Sequence, residues 1–392
     1  MKSRIDSLIA QLEETNQIVG TSCMVLKGEE VKYKNSFGFA DREKGTKMSS
    51  DTICRLFSLS KPITAFAVMI LIDRGEIKYD DAVSKYIKSF GKLNFVNEKD
   101  EIEECKKEMK ICDLMNMTSG IPYADNWGKS PKGTAKLWDE LIERQGTDNE
   151  MSTAELCERA SEIPLAFEPG KTWMYGISAD ILAGVVEKVS GMKYSEFLKK
   201  NIFVPLEMQD TDFYVPEEKL SRFSALYNWR ENGLERDDNN YLGLTNYKRP
   251  PSFESGGAGL VSTIEDYSKF ATMISNNGVY KGVRLISEET FKFMITPQLN
   301  SEQLKGMWDN LKGYSYGNLM RNLYAPELAD MSTSSGEVGW DGWVGTYFCS
   351  DIKNRVTVLY FIQIAGAGTS AVVRPIVKAV YEALNQINEI KQ

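Results

Sequence analysis

Ser58 and Lys61 are the first residues in this sequence whose types and spacing suggest shared chemistry. They precede an apolar run over residues 63–72, which is typical of a buried helix, and Pro62 fits only in the first turn of such a helix. Residues three apart at a helix start share one face. A lysine whose pKa falls on burial can take the proton of a serine hydroxyl, so the pair predicts a nucleophile and its base.

The chain contains no histidine, and this restricts the chemistry further. Ser-His-Asp and Cys-His mechanisms are excluded, as are zinc sites that depend on imidazole. The general base of a hydrolase with this composition must be Lys, Tyr, Asp or Glu. Lys61 satisfies that requirement.

The Ser-x-x-Lys spacing alone is weak evidence, because it occurs four times, beginning at Ser58, Ser89, Ser190 and Ser350. The alternative interpretation of Ser58 is a helix N-cap, a common position for serine. The neighbouring motifs are needed to distinguish a nucleophile from a helix N-cap at Ser58.

Several stretches together resemble one known family. They are residues 56–65, 75–83, 113–120, 167–170, 187–191, 256–263 and 339–342. In this order they resemble the serine β-lactamase-related superfamily, which includes the penicillin-binding proteins. The strongest likeness is to class C β-lactamases and to the carboxylesterases that share their fold. It extends over about residues 20–385.

The resemblance assigns a role to Tyr175, which matches the tyrosine of the family's Tyr-x-Asn motif. In the family this tyrosine moves protons between the nucleophile and the leaving group; the alternative is a tyrosine that only packs. Ile177 stands where the family has Asn, a residue that helps relatives bind the amide side chain of β-lactams and peptides. Its loss disfavours those substrates.

The family's third motif matches Trp340-Asp341-Gly342, which we expect to open a strand over residues 343–349. Gly342 would allow the backbone to approach the substrate closely. Trp340 replaces a cation that binds a substrate carboxylate, which favours an apolar or aromatic acyl group; the alternative is an aromatic that covers the sheet edge. The resemblance implies the backbone N–H groups of Ser58 and Trp343 as the oxyanion hole.

Composition excludes several classes of partner. The net charge of −8 disfavours nucleic acid, and no apolar run is long enough to span a membrane. The charged N-terminus shows no leader peptide, so we expect a cytoplasmic protein unless a leader was removed. The resemblance implies no cofactor and no metal, and the partner expected is a small ester or amide substrate. The oligomeric state is left open.

Strand patterns near both termini and helical patterns between them predict an α/β sandwich of the β-lactamase/transpeptidase type. Strands are predicted over residues 20–26, 31–40, 343–349 and 355–364. Residues 1–57 and 310–392 would form the antiparallel sheet domain, and residues 58–309 a mainly helical inserted domain. The active site would lie between them.

Three functions remain possible from the sequence. The first is a carboxylesterase-like hydrolase of small esters that acts through an acyl-enzyme, and it is favoured by Ile177 and Trp340. The second is a β-lactamase or D-stereospecific (D-Ala) peptidase. The third is a sensor that is acylated once, or a structural protein on the same fold. The sequence does not specify the natural substrate, or whether water or another acceptor receives the acyl group.

Overall fold

The two ends of the chain form one antiparallel sheet of eight strands, which lie side by side in the order 314–317, 320–323, 338–341, 346–351, 356–361, 20–27, 30–41 and 46–47. The structure is a computed structural model that describes residues 1–244 and 247–390. Residues 245–246 of the predicted helical domain and 391–392 of the predicted sheet domain lie outside the described residues. The strands are β1 (Gly20–Lys27), β2 (Glu30–Asp41), β3 (Thr46–Lys47), β4 (Cys54–Arg55), β5 (Asn94–Val96), β6 (Ile102–Glu104), β7 (Tyr227–Arg230), β8 (Gly233–Arg236), β9 (Val261–Ser262), β10 (Val279–Tyr280), β11 (Val283–Arg284), β12 (Tyr314–Gly317), β13 (Met320–Leu323), β14 (Val338–Asp341), β15 (Thr346–Asp351) and β16 (Val356–Phe361).

Helices cover both faces of this sheet. They are α1 (Lys2–Glu14), α2 (Ser60–Asp73), α3 (Ile111–Met115), α4 (Lys129–Arg144), α5 (Thr153–Ala160), α6 (Ser178–Ser190), α7 (Tyr194–Leu198), α8 (Ile264–Ser275), α9 (Glu288–Met294), α10 (Ser301–Leu304), α11 (Pro326–Ala329) and α12 (Val373–Ile390). No helix among the described residues combines the length and the apolar character needed to cross a bilayer.

The alternation of side chains along β1 explains the layers. Cys23 and Val25 belong to a core shared with α1 and α12. Met24 and Leu26 point to the opposite face and belong to the main core, which contains α2 and α8. Successive strand residues point to opposite faces of a sheet, so one strand serves two cores. The result is a helix–sheet–helix sandwich.

The structure corrects the predicted start of one strand. Trp340 and Asp341 end β14 and do not open the next strand, which begins only at Thr346. The residues between form a tight turn, in which the Gly342 N–H donates to the Thr346 carbonyl and Gly345 has a φ of 87°. The first strand pair, in contrast, lies where it was predicted, as β1 and β2.

All strands of the main sheet come from residues 20–47 and 314–361. The helix α2 leaves the sheet region and is buried along twelve of its fourteen residues, as expected for a helix that is apolar on every face. The division into a sheet domain and an inserted helical domain stays a prediction.

Candidate active site

Ser58 lies in a short 3-10 turn, Phe57–Leu59, that leads directly into α2. The N-cap of α2 is Leu59, and no side chain caps that end of the helix. The N-cap interpretation of Ser58 is therefore wrong. Its hydroxyl instead receives a hydrogen bond from the Lys61 ammonium at 3.1 Å.

The residue before Ser58 has an uncommon backbone conformation. Phe57 has a φ of 46°, in the left-handed region, and its side chain is buried. A non-glycine residue there costs on the order of 1 kcal/mol and persists where the surrounding packing requires it. The Phe57 ring packs against that of Trp343, with centroids 5.3 Å apart. This contact joins the Phe57–Leu59 turn, called the nucleophile turn here for the role predicted for Ser58, to the turn after β14.

Lys61 is fully buried in the first turn of α2, and its Nζ contacts three oxygen atoms. It lies 3.1 Å from Ser58 Oγ, 2.8 Å from the Tyr123 hydroxyl and 2.8 Å from the Gly257 carbonyl oxygen. Burial lowers the pKa of Lys61 from 10.5 to about 7, while the charges of Asp180 and Asp341 act in the opposite direction. The amine is therefore able to exist in its neutral form near neutral pH.

Asp180 and Lys61 both bind the backbone of Gly257, on either side of its Cα. The buried Asp180 carboxylate accepts a hydrogen bond from the Gly257 N–H at 3.0 Å, and the Gly257 carbonyl accepts from Lys61. The Ser255 hydroxyl donates to the same carboxylate oxygen. A Cβ added at Gly257 would lie 2.9 Å from Asp180, so only glycine allows this close approach.

We expect Asp180→Asn to lower the pKa of Lys61 below about 7, because the substitution removes a negative charge that raises that pKa. The pKa is measured by NMR titration of the lysine 13Cε resonance, assigned by its loss in Lys61→Met. The control Ser255→Ala removes a hydrogen bond but keeps the carboxylate, and should leave the titration near its wild-type position. An unchanged Lys61 titration in Asp180→Asn would contradict this account.

Tyr175 lies in the loop before α6, with its ring 4.7 Å from Lys61 Nζ. Burial raises the pKa of its hydroxyl, and the nearby Ser58 hydroxyl and Trp340 indole act in the opposite direction. The Trp340 indole N–H donates to the Tyr175 hydroxyl at 3.0 Å. Trp340 thus holds the tyrosine hydroxyl in place, a contact that the sequence did not reveal. Tyr175 thus has a polar contact in addition to its packing, and its role in proton transfer stays a prediction.

Tyr123 is the site residue that sequence reasoning missed. Its hydroxyl accepts a hydrogen bond from Lys61, and the nearby Ser58 hydroxyl lowers its pKa against a larger increase from burial. Its ring packs against that of Tyr175 at 5.6 Å. The only signal in the sequence was its position three residues after the family-like stretch 113–120.

An aromatic wall extends from Tyr175 towards the surface. The Tyr175 ring packs against three tryptophan rings, at centroid distances of 5.0 to 6.0 Å, those of Trp173, Trp308 and Trp340. Trp308 is 48% exposed, whereas Trp173 and Trp340 are each 2% exposed. Of the three tryptophans, Trp308 therefore presents an apolar surface to solvent, while Trp173 and Trp340 are buried behind it.

The turn after β14 places Trp343 beside the nucleophile turn. A Cβ at Gly342 would lie 2.2 Å from the Leu56 carbonyl oxygen, so the glycine permits the chain to approach itself there. Among the hydrogen bonds of the described residues, neither the Ser58 N–H nor the Trp343 N–H donates to another group. Two unpaired backbone donors thus flank the nucleophile turn.

Ile177, in contrast, has no exposed surface. It lies at the N-terminus of α6 and packs in the main core. Any effect of Ile177 on a substrate would have to act through the residues packed over it. Among the described residues, no group of three or more acidic or cysteine side chains is arranged to hold a metal ion.

Comparison with known proteins identifies the family. A family model described as Beta-lactamase matches residues 5–382. The chain belongs to the β-lactamase family.

Relatives within the β-lactamase family cover almost the whole chain. Protein Rv1367c of Mycobacterium tuberculosis is 27% identical over 91% of this chain and 88% of its own length. Esterase EstB of Burkholderia gladioli is 26% identical over 94% of this chain and 92% of its own. The solved structure of EstCE1, "a hydrolase with promiscuous acyltransferase activity", superposes with a TM-score of 0.82 at 22% identity, covering 97% and 98% of the two chains.

These comparisons confirm the predicted fold class, an α/β sandwich of the β-lactamase and penicillin-binding protein kind. They also indicate a function of the serine hydrolase or acyltransferase type. The structure brings Ser58, Lys61, Tyr175 and Trp340 into one contiguous cluster and adds Tyr123.

Proposed function

We propose that the protein is a carboxylesterase-like hydrolase of small esters that acts through an acyl-enzyme on Ser58. One observation carries the proposal. The Lys61 amine, whose pKa burial lowers to about 7, lies 3.1 Å from Ser58 Oγ. A base with a pKa near the working pH and within hydrogen-bond reach of its proton is what general base catalysis requires.

The contacts of Lys61 suit proton transfer from Ser58. A neutral amine has two N–H donors and one lone pair. The Gly257 carbonyl can only accept, so it takes one N–H, and the Tyr123 hydroxyl takes the other. The lone pair remains for the Ser58 proton. As that proton moves to Lys61, a bond forms between Ser58 Oγ and the carbonyl carbon of the ester.

The remaining steps use the backbone donors and Tyr175. The N–H groups of Ser58 and Trp343 stabilise the oxyanion, an effect worth about 3–4 kcal/mol in a comparable site. The carbon–oxygen bond to the leaving group then breaks, and the proton held by Lys61 passes through Tyr175 to the departing alkoxide. Water attacks the acyl-enzyme by the same route, which releases the acid and restores the Ser58 hydroxyl.

The side chains around Tyr175 favour esters over β-lactams and D-Ala peptides. Trp340 occupies the place of the cation that binds a carboxylate in β-lactam-cleaving relatives, and the buried Ile177 provides no amide in place of their amide-binding Asn. An apolar leaving group would pack along the aromatic wall as it leaves. The relative EstB is named an esterase, which supports the same choice.

The proposal is tested with p-nitrophenyl butyrate, nitrocefin and a D-alanyl-D-alanine peptide offered to the wild-type protein. We expect multiple turnovers of the ester, with kcat/KM at least about 100-fold above that for nitrocefin. The reason is that this site lacks both the cation and the Asn that bind a β-lactam in the relatives. Mass spectrometry after brief reaction with a fluorophosphonate should place the modification on the peptide that contains Ser58.

The other functions give different results. Faster turnover of nitrocefin or of the peptide would identify a β-lactamase or a peptidase. One acylation at Ser58 without repeated product release would identify a sensor. Ester product formed with an added alcohol in place of free acid would identify an acyltransferase, the activity that the name of EstCE1 includes.

A further inference from the structure

A large cavity lies on the Trp343 side of the candidate site. Its volume is 760 Å³, within the range of small-molecule pockets. Phe57, the residue before Ser58, forms part of its wall, and so does Tyr241. The Tyr241 ring packs against Trp343 at 4.5 Å, and Trp343 packs in turn against Phe57. The cavity therefore adjoins the nucleophile turn and the proposed oxyanion donors.

The wall of this cavity is rich in cationic side chains, although the chain as a whole carries a net charge of −8. The described lining residues include five cations and three acids, namely Lys44, Arg55, Arg236, Lys248, Arg249, Asp41, Asp237 and Asp238. A concave surface lined by an excess of one charge attracts ligands of the opposite charge. The wall thus favours an anionic ligand.

Most charges of the wall are already paired. Arg236 binds Asp41 at 2.9 Å and Asp238 at 3.2 Å, and Lys44 binds Asp41 at 3.2 Å. The Arg249 guanidinium is paired with Glu150, outside the wall. The third acid, Asp237, accepts hydrogen bonds from Tyr241 and Asn228. None of these groups needs a ligand to satisfy its charge.

Arg55 is different. Its guanidinium lies 4.3 Å from the centre of the Phe223 ring and 5.5 Å from that of Tyr247. One of its N–H groups donates to the Ser224 carbonyl at 2.8 Å, and among the described residues no carboxylate lies within ion-pair distance. Arginine has five N–H donors in a planar fork that matches a carboxylate, and the partly exposed Arg55 has no acidic partner for its charge among the described residues. A carboxylate in the cavity would supply that partner.

We infer that the cavity binds the far end of the acyl chain of the substrate, and that this end carries a carboxylate that pairs with Arg55. The inference rests on the proposed function and names its substrate class: half-esters of dicarboxylic acids. Tyr175 protonates the leaving group, so the leaving group lies on the Trp340 side. The acyl chain is then directed away from Tyr175, past Phe57 and Trp343, into the cavity. The sequence predicts that Trp340 favours an apolar or aromatic acyl group; in the arrangement inferred here that preference applies to the leaving group instead.

The test compares two substrates with acyl chains of equal length, mono-p-nitrophenyl adipate and p-nitrophenyl hexanoate. For the wild type we expect kcat/KM to be at least about 10-fold higher for the adipate, after correction for spontaneous hydrolysis. Arg55→Gln should lower the ratio of the two values by about 10- to 100-fold, the range for a lost hydrogen bond to a charged group. Arg55→Lys keeps the charge but not the planar fork, so its adipate-to-hexanoate ratio should lie between those of the wild type and of Arg55→Gln.

A matched control is Arg222→Gln. It makes the same change of charge nearby, but the Arg222 guanidinium is bound to Asp210 and does not line the cavity. The ratio of kcat/KM for the adipate to that for the hexanoate should be the same in Arg222→Gln as in the wild type. A wild-type ratio near one, or an equal loss on both substrates in the Arg55 variants, would overturn the inference.

A binding measurement separates this inference from the proposed function. Ser58→Ala is titrated by calorimetry with monomethyl adipate and with methyl hexanoate. Tighter binding of the adipate, lost when Arg55→Gln is added, supports the cavity even if the wild type hydrolyses neither p-nitrophenyl ester. Equal or absent binding of the two overturns the cavity inference, even if the wild type is an active esterase.

Discussion

Ser58→Ala is expected to lower kcat/KM for p-nitrophenyl butyrate by about 10³- to 10⁶-fold, the range for loss of a nucleophile in other serine hydrolases. The hydroxyls of Tyr123 and Tyr175 are not expected to replace that of Ser58. Burial raises their pKa values, and neither residue lies on the turn that places Ser58 beside Lys61. Initial rates of the wild type and the variant at matched enzyme concentration measure the effect. The labelling by fluorophosphonate should disappear with the activity.

A matched control is available within the chain. Ser190 also begins a Ser-x-x-Lys string, but it ends α6 and its hydroxyl donates to the Val186 carbonyl at 2.7 Å. Ser190→Ala should therefore keep wild-type activity. Equal rates for Ser58→Ala and the wild type would refute the mechanism and leave the family membership as a statement about fold.

Lys61→Met should lower kcat/KM by at least about 10³-fold, because the substitution removes the base and leaves the Ser58 proton without an acceptor. Methionine is unbranched and apolar, so it can fill the buried position without a charge. In the wild type, kcat/KM should rise with pH through about 7 and then level off. Burial lowers the pKa of Lys61 to about 7, so the neutral, proton-accepting form prevails only above that pH.

The pH–rate profile and the titration of Lys61 must agree. If kcat/KM stays constant from pH 5 to 9, or if the pKa read from its rise with pH differs clearly from the pKa of Lys61 measured by NMR, another group is the base. Lys193→Met is the control, since Lys193 ends another Ser-x-x-Lys string and lies exposed before α7. It should keep both the rate and the profile.

The part of the site that could be predicted from the sequence is the part set by local geometry. Ser58 and Lys61 are three residues apart at a helix start, and this spacing alone brings their side chains together. Tyr175 lies far along the chain, and only the family motif identified it. Tyr123 reaches Lys61 through a loop held by packing against Tyr175, a contact that no local spacing encodes.

The same distinction applies to the fold. The β1–β2 pair has a clear turn signal, but the hairpin β12–β13 turns at Asn318-Leu319, where both residues have positive φ. Leucine in the place of the usual glycine concealed that turn. The helix α4 was missed because Pro131 and Gly133 lie in its first turns and interrupt the helical pattern.

The order of strands in the sheet has a consequence for biosynthesis. The strand β1 pairs with β16, so that Ser22 lies opposite Phe361, and nearly the whole chain must be made before this pair can form. Until then a ribosome-bound nascent chain exposes the edge of β1, and the nucleophile turn lacks its contact with Trp343. Pairing over such a sequence separation is slow, because loop closure precedes the energetic gain. A chain that stops before β14 therefore has Ser58 and Lys61 but lacks Trp340 and Trp343, so the proposed activity would arise only with the last strands of the sheet.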